Sequence, residues 1–262
     1  MITAIIQARM SSTRLPGKAM AFICGKPMLW HVVDRVGHSK MIDKIIIATV
    51  DNDENKKILD VADDIGVSAF AGSESDVLDR CYKAARQYNT DIIVRITGDC
   101  PLIDPCIIDH TVEYFIKNSC DYVSTGHILN QENAGTNYPD GLDTEVCSFK
   151  ALEKAWKEAK FLSEREHVTS YIWNHPEFFR IKGFSTIDKD LSYLRWTVDE
   201  DRDLKFVRAV YDRLYKKDSI FYMKDILTLL EKNPDLLRIN SDIKKDEGYF
   251  RSLKEDQTIY KL

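Results

Sequence analysis

No acidic residue occurs before Asp34, although the chain as a whole carries a formal net charge of −5. The negative total argues against broad electrostatic binding of nucleic acid or of an anionic membrane, but leaves room for a local basic pocket for a small anion. No apolar run reaches the length of a membrane span. The opening "MITAIIQARM" lacks the basic-then-apolar plan of a secretory signal, so a cytoplasmic protein is expected. The cysteines Cys24, Cys81, Cys100, Cys106, Cys120 and Cys147 form no C-x-x-C pair, which points to reduced, mostly buried thiols. The histidines show neither H-x-x-x-H nor H-E-x-x-H spacing, which argues against zinc. There is no internal repeat, low-complexity tract or clear linker.

What is present is an ordinary globular balance, 44% hydrophobic and 30% charged, sufficient to bury a core. Short apolar runs alternate with amphipathic stretches. Strands are expected at 2–7, 44–50, 67–70, 91–97 and 120–125, and helices at 27–39, 53–66, 75–88 and 105–118. Continuous rather than alternating apolar strands imply a sheet covered on both faces. The fold class is therefore α/β, a doubly wound, mostly parallel sheet. Beyond it, 127–141 is a polar Gly/Pro/Asn-rich loop long enough to suspect function. A strand at 142–149, helices at 150–160 and 163–174, a strand at 178–186 and helices at 202–215 and 221–234 follow. The expected organisation is one domain over 1–240, with an α+β insertion at about 127–186, and a tail at 241–262 whose Lys/Asp-rich composition does not demand order.

The cations of the acid-free opening are concentrated in "ARMSSTRLPGKAM" (8–20), directly after the first strand. Ligands of open α/β sheets bind at the carboxyl ends of strands, near the switch point of strand order. Pro16 and Gly17 suit a tight turn, whose backbone N–H groups can form an anion nest. Arg9 and Arg14 offer forks to phosphate oxygens, and Lys18 a compact charge. The loop is not a Walker A sequence, since Ser12 stands at the first Gly position and Ala19 follows the lysine, and no G-x-G-x-x-G occurs. From spacing alone, a triphosphate site and a solvated basic loop both remain open.

"IIQARMSSTRLPGKAM" resembles the signature loop of the sugar-acid cytidylyltransferases, the CMP-Kdo and CMP-neuraminate synthetases, and is most similar to their SpsF spore-coat polysaccharide branch. The resemblance continues through "GKPMLWHVVDRV", "SESDVLDRCYKAA", "RITGDCPLIDP", "YPDGLDTEV", "SEREHVT" and "RWTVDEDRDLKFV", covering roughly residues 1–215. It implies a nucleotidyltransferase sheet of glycosyltransferase-A type. It also implies transfer of CMP from CTP to a sugar or sugar acid with Mg²⁺, and a homodimer. Nucleotide contacts then fall to Ala8, Arg9, Met10, Ser11, Arg14, Lys18, Thr97 and Gly98.

Read alone, "GDCP" (98–101) is a turn, and the resemblance makes Asp99 a metal carboxylate. Asp104 reads as the N-cap of the helix that starts at Pro105. In "VDEDRDL" (198–204), acids at a helix start account for Asp201 or Asp203. Asp199, directly after an apolar strand-like run, matches the second metal aspartate of the family. Lys18, Arg9, Asp99 and Asp199 are the expected catalytic set. The acceptor is expected to meet Tyr138, Asp140, Asp143, Glu145, Arg165, His167 and Arg195. Ser163 with Glu166 reads equally as a capping box, and Arg80 either faces the base or ribose or lies on a helix surface. The rival readings are a nucleotidyltransferase for another NTP or a sugar phosphate, and a nucleotide-binding protein without catalysis.

Overall fold

A computed structural model describes residues 1–126, 137–244 and 247–260. Most of the loop singled out at 127–141 thus lies outside the described residues. The strands are β1 (Ile2–Gln7), β2 (Phe22–Ile23), β3 (Lys26–Pro27), β4 (Lys44–Val50), β5 (Ser68–Gly72), β6 (Ile92–Thr97), β7 (Tyr122–Ser124), β8 (Glu145–Ser148) and β9 (Ile181–Gly183). The helices are α1 (Met28–Gly37), α2 (Lys56–Ile65), α3 (Val77–Gln87), α4 (Pro105–Lys117), α5 (Phe149–Glu158), α6 (Leu162–Glu166), α7 (Ser170–Asn174), α8 (Asp201–Leu214), α9 (Met223–Lys232) and α10 (Glu247–Tyr260).

β2 and β3 form a small hairpin, and the other strands make one sheet in the order β5-β4-β1-β6-β8-β7-β9. β1 pairs in parallel with both β4 and β6, and only β8 runs against its neighbours. Alternate β1 side chains serve opposite faces. Ala4 and Ile6 join the cluster under α1, α2 and α4, while Ile5 joins that under α3, α5 and α7. Both faces are buried, as the unbroken apolar strands require. A third cluster gathers Trp196, Val198 and the apolar stripe of α8.

The expected helix at 163–174 is in fact two, α6 and α7. The chain between them bends at Val168, whose φ of +58° is left-handed and cannot continue a helix. The strands expected at 142–149 and 178–186 shorten to β8 and β9. The tail folds as well, since α10 packs along α6 with Tyr249 buried against Trp173. Composition did not require this order; tertiary docking supplies it. Asp104 caps α4 by accepting from Cys106 N at 2.9 Å. The six cysteines are unpaired, and four are buried. Among the described residues, no helix is long and apolar enough to cross a membrane.

β1 is the switch point: β4 lies on one side of it and β6 on the other. The loops leaving the carboxyl ends of β1 and β6 therefore share one edge of the sheet.

Candidate active site

The loop after β1 is tied down at both ends. The buried Asn55 accepts from Met10 N at 2.9 Å, and Met10 O accepts from Ser12 N at 3.0 Å and Gly17 N at 2.9 Å. Gly17 adopts φ +71°, the left-handed conformation that glycine takes without steric cost. Across the edge, Gly98 N donates to Gln7 O at 2.8 Å. A Cβ on Gly98 would stand 2.9 Å from that oxygen and 3.0 Å from the Ala8 methyl, so only glycine fits.

These loops deliver Lys18 to two carboxylates. Its Nζ donates to Asp99 Oδ2 at 2.8 Å, to Asp199 Oδ1 at 2.9 Å and to Val198 O at 2.8 Å, which uses all three ammonium protons. Burial alone would lower the Lys18 pKa, but the two aspartates raise it above its ordinary value. Burial alone would likewise raise Asp99, yet the Lys18 charge and hydrogen bond hold it at about 2. Val198 N donates to Asp99 O at 2.8 Å, which binds the two acidic segments together. Asp199 also accepts from Arg14 at 2.9 Å and from the buried Arg195 at 3.0 Å.

Behind Asp199, Arg195 forks onto Asp203 through Nε at 3.0 Å and Nη2 at 3.1 Å. Asp203 in turn accepts from Asp199 N and Glu200 N, capping α8. The acidic helix start expected for Asp203 is therefore present, and it holds Asp199 in place. Arg195 also meets Asp140 at 3.4 Å.

A cleft of about 630 Å³ opens over this arrangement. Ala8, Arg9, Ser11, Arg14, Lys18, Thr97, Gly98, Asp99, Asp199 and His167 line it, all singled out in the sequence. The buried Met10 lies beneath the loop instead of on the wall. Tyr138, Asp140, Asp143, Glu145, Arg165 and Arg195 are not on the wall either. Tyr138 is buried and bonds Thr186 at 2.6 Å; Asp143 accepts from Gly141 N at 2.8 Å; Glu145 pairs with Arg95 at 2.6 Å. Arg165 is held by Asp76, its Nε at 2.9 Å, and by Trp156 O at 2.7 Å.

The capping box read from Ser163 and Glu166 is corrected. Glu164 accepts from Lys160 N and Phe161 N, while Glu166 reaches across the cleft to Arg9 at 3.0 Å. Asp256 of α10 supplies the rest of the cap, accepting from Leu162 N at 2.9 Å.

Several cleft residues escaped the sequence reading. Arg95 interrupts the apolar run of β6, and that interruption was the signal. It lies between Gln7, at 2.9 Å, and Glu145. Gly248, Arg251, Ser252 and Glu255 come from α10, where composition carried no signal. Arg80, left open between base and surface, is buried on the cleft wall. Its Nη1 donates to Ser73 O, and its Nε has no partner among the described residues. Burial lowers its pKa, the nearby charges of Asp76 and Glu166 act against that lowering, and among the described residues no carboxylate hydrogen-bonds it. His167, in contact with Ser252 at 3.1 Å, is lowered to about 4 by burial and then by Arg95, so it is neutral at pH 7. Among the described residues, six cations face four acids around the cleft.

A basic loop at the switch point of an open α/β sheet, opposite two carboxylates joined through a lysine, defines a nucleotidyltransferase. The sequence profile of the family described as Cytidylyltransferase matches residues 3–248. The chain belongs to that family. An uncharacterized protein of Methanocaldococcus jannaschii is 38% identical over 257 residues, covering 97% of this chain and 99% of its own. The spore coat polysaccharide biosynthesis protein SpsF of Bacillus subtilis is 32% identical over 241 residues, covering 89% and 95%. The structure of a cytidylyltransferase from Leptospira borgpetersenii serovar Hardjo-bovis superposes with a TM-score of 0.83 at 30% identity, covering 93% of this chain and 98% of that one.

Proposed function

We propose that this enzyme transfers CMP from CTP to a hydroxyl of a sugar or sugar acid, releasing pyrophosphate, for synthesis of a surface polysaccharide or glycan. The observation that carries the reading is Lys18, gripped by Asp99 and Asp199 on the floor of a cation-rich cleft. The Bacillus subtilis relative, by its name a polysaccharide biosynthesis protein, supports the acceptor class.

Nucleotidyl transfer needs little covalent help from a protein. It needs alignment of the hydroxyl with the α-phosphorus and stabilisation of the charge that develops. In this reading CTP lies along the loop of residues 8–18, with Arg14 and Lys18 on the β- and γ-phosphates and Arg9 nearer the α-phosphate. Arg80, buried on the cleft wall, adds a further cation toward the nucleotide. The acceptor hydroxyl gives up its proton to solvent and forms a new P–O bond at the α-phosphorus, as the bond to the bridging β-phosphate oxygen breaks and pyrophosphate leaves. Arg195 and Asp203 hold Asp199, and the Glu145–Arg95 pair stiffens the far wall.

Asp99 and Asp199 fit Mg²⁺, which takes one or two carboxylates and fills its remaining places with water and phosphate oxygens. Among the described residues, no further His, Cys or acid forms a three-ligand group there. When bound, the ion would neutralise phosphate charge. The homodimer implied by the resemblance belongs to the same reading and is checked by sedimentation.

The test is calorimetric titration with CTP, UTP, ATP and GTP, with and without Mg²⁺, on wild type and Lys18→Ala. Selective CTP binding that Lys18→Ala weakens supports the reading. Preference for another nucleotide, or no binding, overturns it.

A further inference from the structure

The family profile ends at residue 248, but the wall of the cleft does not. α10 continues to Tyr260, and two of its faces meet the rest of the protein. Tyr249, Leu253 and Asp256 turn toward the protein, where Asp256 caps α6. Gly248, Arg251, Ser252 and Glu255, at helical spacing, turn toward the cleft. Arg9, Arg14, Lys18 and Arg95 each hold a carboxylate. Arg251 has no bonded carboxylate among the described residues. At the first turn of the helix, Glu247 lies 3.6 Å from Arg14 of the opening loop. α10 therefore begins beside a cation assigned to the phosphates, and Arg251 stands one turn further along the same wall.

We propose that Arg251 binds the β,γ-phosphate end of the nucleotide, closing the triphosphate site from the α10 wall. The inference rests on the CTP reading above. A guanidinium fork without a carboxylate partner suits an oxyanion. The reaction offers two, the triphosphate and the acid group of a sugar acid. The Glu247–Arg14 contact puts the start of α10 on the triphosphate side.

Arg251 is exposed, so its replacement leaves the packing of α10 intact. The experiment is calorimetry of CTP and of CMP with wild type, Arg251→Gln and Arg251→Lys. Arg251→Gln is expected to weaken CTP about 10- to 30-fold, the effect of losing a charge-assisted bond. CMP, which lacks the β- and γ-phosphates, should bind all three proteins alike, and Arg251→Lys should recover part of the CTP affinity. Equal CTP affinity in wild type and Arg251→Gln overturns the inference. The same CTP affinity with slower turnover also overturns it, by moving Arg251 to the acceptor. Failure of wild type to bind CTP at all would instead overturn the CTP reading.

Discussion

At the scale of single residues, Lys18 is the point on which the site turns. It sits between two carboxylates that would otherwise repel, and it bonds both. Lys18→Ala should lower kcat/KM for CTP by about 10²–10³, the effect of removing one preorganised charge donor; steady-state kinetics measures it. The same contact fixes an acid limit. Asp99 is held at about 2, below its ordinary 3.8. The stability it contributes is complete above the ordinary value and is lost as pH falls toward 2. Asp99→Asn should flatten that part of an acid-denaturation curve. His167 acts at higher pH. Its folded value of about 4 lies below the ordinary 6.5, so the unfolded chain binds the extra proton first. Stability therefore declines as pH falls from 6.5 toward 4. Wild type should lose about 2 kcal/mol more than His167→Gln over that window, allowing for its partial exposure, as read by urea melts at the two pH values. Gly98→Ala tests the close approach of the two loops. With a Cβ at 2.9 Å from Gln7 O, it should cost about 1–3 kcal/mol.

At the scale of elements, α6 and α10 stand or fall together. Asp256→Ala removes the acceptor for Leu162 N and should cost about 1–2 kcal/mol, with amide exchange quickening in both helices first. How far the sequence foretells such elements depends on where their stability comes from. β1, β4 and β6 are continuous apolar runs, so they were legible, as was the doubly wound sheet they imply. α10 draws its stability from a cap and a few aromatic contacts made with distant residues, and its own pattern is faint. β8 is apolar enough to read as a strand. Its antiparallel insertion between β6 and β7 was not legible, and that insertion brings Glu145 to Arg95. The cations of residues 9–18 were legible because they share one loop with no acid. Arg195 was singled out for the acceptor, but eight residues downstream Asp203 waits to bury it in an ion pair. Its place was decided by the start of α8, a matter of tertiary approach that spacing does not record.

At the scale of the whole molecule, an acidic protein presents one basic concavity. The body repels polyanions, while the cleft, with six cations to four acids among the described residues, suits the small anion proposed for it. Raising ionic strength should weaken CTP binding about tenfold between 0.05 and 0.5 M salt, and CMP binding much less, because screening acts on the phosphate charge; titrations at the two concentrations check this. The grip of Asp99 and Asp199 on Lys18 adds a further consequence. The ammonium has its full complement of protein oxygens, as Arg9 has Glu166. Ligand entry is then an exchange of partners, not the filling of a vacancy. A phosphate oxygen gains only the difference between itself and a resident carboxylate. In the proposed reaction, the same carboxylates would take the cations back as pyrophosphate departs, so a site that accepts a highly charged substrate need not hold on to a highly charged product.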